Sequence, residues 1–171
     1  MSVKYLLPLA VIGTLLLACQ QKGTYLKPPD TVPRVDLSRY MGTWHEIARY
    51  PNNFQKDCRK SSASYTLRED GRVTVVNRCS RAAGSEEARA TAKVVDSTTN
   101  AKLKVSFFWP FYGDYWILAL DDEYTYAVVG TPDRKYLWIL SRTPEMEDSL
   151  YNNLLLKIQE QGFDPNRLMK D

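Results

Sequence analysis

The chain has 171 residues and is close to charge balance, with 23 Lys and Arg against 20 Asp and Glu. Its basic residues are scattered, with no basic stripe interleaved with aromatics, which argues against a nucleic-acid partner. One histidine and three cysteines leave little for metal chemistry or for histidine-assisted nucleophilic catalysis, so no metal and no cofactor are expected.

Residues 1–18 read as a secretory signal peptide. Lys4 supplies a positive start, and Leu6–Leu17 is an apolar run interrupted only by Pro8, Gly13 and Thr14. A bilayer span takes about 20 apolar residues, so this shorter run has the form of a signal h-region instead. It ends in Leu16-Leu17-Ala18-Cys19, which resembles the bacterial lipobox. The resemblance implies cleavage before Cys19, its acylation with lipid (palmitate among the chains expected), and an anchor in place of a span. Gln20 stands where an aspartate would imply retention at the inner membrane. The expected location is therefore the bacterial outer membrane, lipid-anchored and facing the periplasm.

With Cys19 lipidated, Cys58 and Cys79 remain as a disulfide pair in an oxidising compartment. They flank the turn Glu69-Asp70-Gly71-Arg72 at nearly equal distances, so a hairpin brings them face to face. A bridge closing such a loop contributes about 3 kcal/mol. Removal of residues 1–18 leaves 153 residues, enough for one domain with a core of its own.

Residues 19–34 form the expected lipid-anchored linker. Pro28, Pro29 and Pro33 lie there among polar residues without periodicity, the composition of a semi-rigid tether. Residues 35–171 form the expected domain. Asp36 to Tyr40 predicts one helical turn, and from Gly42 to Arg142 short alternating runs follow one another between turn signals. Ala63, Tyr65 and Leu67 face one way while Ser62, Ser64, Thr66 and Arg68 face the other. Val73 and Val75 repeat the pattern across Asp70-Gly71, as do Leu103, Val105 and Phe107 after Asn100. A weaker strand is expected over Ala88 to Val95. The runs Tyr115 to Leu120, Tyr124 to Val129 and Tyr136 to Arg142 are apolar on both faces and need a cover outside as well as a core inside.

That cover is predicted next. Thr143-Pro144 offers an N-cap with proline at the first helical position, with Glu145, Glu147 and Asp148 in the first turns. Met146, Leu150, Leu154, Leu155 and Ile158 recur at helical spacing before Gly162. One amphipathic helix of about 17 residues is expected on the outer wall. The fold class is all-β: an eight-stranded up-and-down antiparallel β-barrel with one C-terminal α-helix packed outside. An interior of that size holds one small ligand.

Three segments carry a family resemblance. Gly42-Thr43-Trp44-His45-Glu46-Ile47-Ala48-Arg49 resembles the G-x-W opening of the lipocalins. Leu137-Trp138-Ile139-Leu140-Ser141-Arg142 resembles their closing strand with its terminal arginine, and Asp121-Asp122-Glu123-Tyr124-Thr125-Tyr126 is a looser match to the middle motif. Lys104-Val105-Ser106-Phe107-Phe108-Trp109-Pro110-Phe111-Tyr112-Gly113 further resembles the bacterial outer-membrane lipoprotein lipocalins. The similarity runs from about Val35 to Met169. It implies a binding protein for fatty acids or lysophospholipids, in transport or storage within the cell envelope.

Barrel closure makes Trp44 and Arg142 neighbours, and a guanidinium over an indole contributes about 0.5–2 kcal/mol; their expected role is structural. Stepping by two from Trp44 places Glu46 and Ala48 inside. Stepping back from Arg142 places Leu140 and Trp138 inside, with Ile139 and Leu137 under the helix. The same parity gives Ala63, Tyr65, Val75, Asn77, Val105, Phe107, Tyr115 and Ile117. These ligand-binding candidates are mostly apolar, suited to a long hydrocarbon with its polar head near the mouth. Glu46 needs a partner or water; it is either structural, satisfied by a tyrosine or arginine, or a receiver of the ligand head group. Trp116 and the loop Trp109 to Tyr112 offer a protein contact, a membrane-facing rim, or ordinary packing. A barrel enzyme acting on a small hydrophobic substrate and a filled, structural barrel are the alternatives; His45, facing outward by parity, gives the enzyme little support. A homodimer is left open.

Overall fold

Period-two alternation builds the strands where expected in the computed structural model, which describes residues 27–170. The signal peptide and Cys19 lie outside the described residues. In chain order the elements are α1 (Leu37–Tyr40), β1 (Gly42–Arg49), β2 (Lys60–Leu67), β3 (Val73–Arg81), β4 (Gly84–Val94), β5 (Lys102–Phe108), β6 (Phe111–Leu120), β7 (Tyr126–Gly130), β8 (Leu137–Ser141), α2 (Asp148–Glu160) and β9 (Met169–Lys170). Neighbours from β2 to β8 pair antiparallel in sequence order, and β1 pairs with both β2 and β8. The result is the closed eight-stranded up-and-down barrel, with β9 added outside against Ala48 and Arg49. Closure leaves no long free edge.

The up-and-down topology gathers the β1–β2, β3–β4, β5–β6 and β7–β8 connections at one end, the mouth. Helix α1 and the other hairpins lie at the opposite end. Side chains sort into two cores. Trp44, Tyr65, Val73, Val75, Ala90, Ala92, Leu103, Ile117, Val129 and Leu140 pack inside the barrel with Tyr40. Leu118, Val128, Leu137 and Ile139 face outward and pack under Tyr151, Leu154 and Ile158 of α2.

Four expectations need correction. Strand β4 starts at Gly84, not near Ala88, because cross-strand ion pairs Arg78–Glu87 (2.8 Å) and Arg81–Glu86 (3.2 Å) support a polar stretch that carries no apolar signal. Helix α2 spans 13 residues from Asp148 to Glu160, shorter than expected. The Thr143 hydroxyl does not cap it but donates to the Glu145 carbonyl at 2.7 Å, and Glu147 is an N-cap without a side-chain bond. The stop at Gly162 holds, with φ of +81°. From Lys27 onward the expected tether lies along the barrel: Pro29 is buried, the Val32 N–H donates to the Ile117 carbonyl (3.0 Å) and the Val35 N–H to Thr99 (2.7 Å). Finally, Ala48 does not face the interior. A bulge in β1, opposite β8, shifts the register from Glu46↔Leu140 to Ala48↔Ile139, so Ala48 turns outward beneath α2 and Arg49, opposite Trp138, turns inward.

Candidate functional site

The closed end is sealed by the motif residues. Gly42 adopts φ of +95°, which favours glycine, and a Cβ there would stand 3.2 Å from the Arg142 guanidinium. Arg142 lies 3.8 Å over the Trp44 ring and donates to the carbonyls of Tyr124 (3.2 Å), Thr43 (3.0 Å) and Arg39 (2.8 Å). The Trp44 indole donates to the Tyr40 carbonyl at 2.9 Å. Asp121 closes the β6–β7 turn by accepting from the N–H groups of Thr125 and Tyr126, at 2.7 and 2.9 Å. Both roles of Arg142 at this end, cation over indole and capture of carbonyls, are structural ones.

Above this plug stands a chain of three hydroxyls. Tyr115 bonds Tyr40 at 2.8 Å and Tyr65 at 2.9 Å. Burial pushes all three phenols up, Tyr65 to about 12, because a phenolate there would lose its hydration. They remain neutral, polar and mutually satisfied. Around them Leu37, Val73, Ala92, Leu103 and Val105 leave a cavity of about 10 Å³, room for one water at most. The lower half of the barrel is filled.

Moving toward the mouth, the inner wall changes. Residues directly opposite across a ladder share a face, so the register gives inward rows: Val73–Ala92–Val105, then Tyr65–Val75–Ala90, then Ala63–Asn77–Ala88. Val73, Ala92, Tyr65, Val75 and Ala90 are buried; Ala63 and Asn77 are half-buried and Ala88 is exposed. Along β2–β4 water therefore reaches the inner face from the third row upward, where two of three side chains are methyl groups, while on β1 the same row ends in fully buried Trp44. Tyr115, Val105 and Trp138 are half-buried on the inner side, Ile117 is fully buried, and Phe107 is 40% exposed beside a bulge near the mouth.

The β1–β2 loop is pinned to this wall. Glu46 and Arg49 form a buried ion pair at 2.6 Å, their side chains only 5% exposed. Gln55 donates to the second Glu46 oxygen at 2.7 Å, and its carbonyl-type oxygen accepts from the Trp138 indole at 2.9 Å. Arg49 also donates to the Cys58 carbonyl at 3.1 Å. Cys58 is bonded to Cys79 of β3, with Cα atoms 5.4 Å apart, so the far end of the loop is stapled to the opposite side of the β1–β2 seam. Stacked Tyr136 and Trp138 (5.9 Å), with Phe54 5.5 Å from Tyr136, add an aromatic rim. The arginine partner foreseen as one option for Glu46 is thus Arg49.

The structure brings together Glu46 and Trp138 at one side of the mouth and Ala63 and Asn77 at another, and places Tyr65, Val75 and Ile117 in the packed core below. Sequence reasoning missed Arg49, which a bulge turned inward, and Gln55, whose loop gives no periodic signal. It also missed Ala88, Ala90 and Ala92, although their alternation with Arg89 and Thr91 carried the signal. His45 lies on the outward face, in the row His45–Ser62–Arg78–Glu87 beside an open hollow of about 330 Å³.

Comparison with known proteins agrees with this architecture. Residues 35–171 match the model of the lipocalin-like domain. The outer membrane lipoprotein Blc of Escherichia coli K12 is 40% identical over 169 residues, covering 96% of this chain and 95% of that protein. Blc of Vibrio cholerae is 40% identical over 164 residues, covering 94% of each chain. Temperature-induced lipocalin-1 of Arabidopsis thaliana is 39% identical over 156 residues, covering 86% of this chain and 84% of that one. Among solved structures, insecticyanin of Manduca sexta superposes with a TM-score of 0.67 at 23% identity, covering 85% of this chain and 83% of its own, which bears on the fold alone. The chain is a member of the lipocalin family.

Proposed function

We propose that the protein binds one elongated lipid, a fatty acid or a lysophospholipid, in the mouth-side half of the barrel, for transport or storage in the bacterial envelope. The observation that carries this reading is the change along the inner wall. Buried rows ending at Tyr65, Val75 and Ala90 give way to the solvent-reached side chains Ala63, Asn77 and Ala88, with half-buried Trp138 on the inner side of β8. An acyl chain displaces water from that wall and rests on the hydroxyl-capped floor, leaving its head group near the mouth. Membership of the lipocalin family and the relatives named outer membrane lipoproteins support a hydrophobic ligand and an outer-membrane location. The anchor in this proposal is acylated Cys19, and the domain faces the periplasm.

Binding, not catalysis, is the proposed activity. Glu46 is held by Arg49 and Gln55, and His45 lies on the other face of the wall. Native mass spectrometry of the protein extracted from its own membranes tests the ligand class. Co-purifying fatty acid or lysophospholipid is expected; consistent recovery of lipid-free barrel would contradict the proposal. Titration with lysophospholipid in solution is expected to change Trp138 emission saturably, with the change lost in Trp138→Phe.

A further inference from the structure

The β5–β6 hairpin has a tip unlike the rest of the surface. Phe108, Trp109 and Phe111 are 79%, 83% and 76% exposed, around Pro110. From Ser106 to Gly113 there is no charged residue; the flanking Lys104 and Asp114 pair with each other at 3.2 Å. Large exposed apolar clusters mark contact with another body, and Trp and Phe suit the headgroup–acyl boundary of a bilayer. The tip lies at the mouth, where a lipid must enter.

A second observation concerns the chain entry. Arg134, in the β7–β8 connection at the mouth, donates to the Lys27 carbonyl at 2.7 Å and to the Gln161 carbonyl at 2.8 Å. From there the chain runs to Val35 at the closed end. The segment leading back to Cys19 therefore leaves from the mouth side. Seven residues lie between Cys19 and Lys27, and the eight steps, at most about 3.6 Å each, reach about 29 Å. An anchor that close pulls the mouth, and not the closed end, toward the membrane.

We propose that the mouth of the barrel docks on the bilayer surface, with Phe108, Trp109 and Phe111 entering the headgroup–acyl boundary, so that lipid passes between membrane and barrel without crossing open water. The inference rests on the Cys19 anchor proposed above. The absence of charge at the tip makes this contact apolar, so it persists at high salt, unlike docking through a basic patch.

The full acylated protein, reconstituted in vesicles of phosphatidylethanolamine and phosphatidylglycerol carrying brominated acyl chains, tests it. The emission of Trp109, obtained by difference from Trp109→Phe, is expected to shift to the blue and lose more than half its intensity, at low and high salt alike. The variant F108S/W109S/F111S, altered only at exposed positions, is expected to stay folded and vesicle-bound yet exchange lysophospholipid with the vesicles several-fold more slowly, with unchanged affinity for lysophospholipid monomers in solution. Unquenched Trp109 on vesicle-bound protein would overturn the docking while leaving the anchor intact. Protein that fails to float with vesicles would remove the anchor and the docking with it. A vesicle-free dimer abolished by the triple variant would assign the tip to a second copy of the chain and overturn the proposal.

Discussion

At the scale of single residues, two buried polar groups govern what the barrel tolerates. The Glu46–Arg49 pair sits at 2.6 Å with almost no exposure, so removing one partner strands the other charge. Arg49→Met is expected to cost about 3–5 kcal/mol, whereas E46L/R49M is expected to cost far less than the sum of the single changes; urea unfolding measures both. The tyrosine cluster gives a pH signature. Its folded-state phenols lie above the ordinary value of 10.0, Tyr65 at about 12. The unfolded chain therefore loses these protons first, and stability falls as pH rises above 10. For Tyr65 alone the loss approaches about 3 kcal/mol by its folded pKa and is absent below the unfolded one. Tyrosinate absorbance, compared with Tyr→Phe variants at these three positions, is expected to show Tyr40, Tyr65 and Tyr115 ionising only above the ordinary phenol value or with unfolding; their ionisation near 10 in the folded protein would refute it.

At the scale of elements, the strands and the outer helix were legible wherever one face was apolar. β2, β3 and β5 follow their alternation, and Leu154 and Ile158 keep the helical spacing that seats α2 on Leu137 and Ile139, joined by Tyr151, which the apolar spacing had not singled out. What was illegible has a common physical basis: backbone irregularity and polar pairing. No side-chain pattern marks the β1 bulge, yet it exchanges Ala48 for Arg49 on the inner wall. The first residues of β4 are held by ion pairs, not burial, and the start of α2 is displaced because the Thr143 hydroxyl serves its own loop. The β1–β2 loop draws its order from contacts remote in sequence: the Gln55 bonds and the Cys58–Cys79 bridge. C58S/C79S is expected to lose about 3 kcal/mol and to increase amide exchange most in residues 50–59, measured by hydrogen exchange; uniform loosening of the barrel would argue against a local staple.

At the scale of the whole molecule, the barrel is divided across its axis. Trp44, Arg142 and the tyrosines make one half a plug, which supplies stability and a polar floor. The other half keeps small inward side chains under a pinned loop and an aromatic rim. Stability and binding are thereby assigned to different ends of the same barrel. The mouth-side chamber can be filled from its own wall by Ala88→Phe, at an exposed inward position across from Asn77. Titration of this variant with lysophospholipid is the most direct test of a lipid-holding chamber. Affinity is expected to fall by about tenfold or more, a change of at least about 1.4 kcal/mol, with the unfolding midpoint nearly unchanged; undiminished binding in a folded, plugged barrel would contradict it.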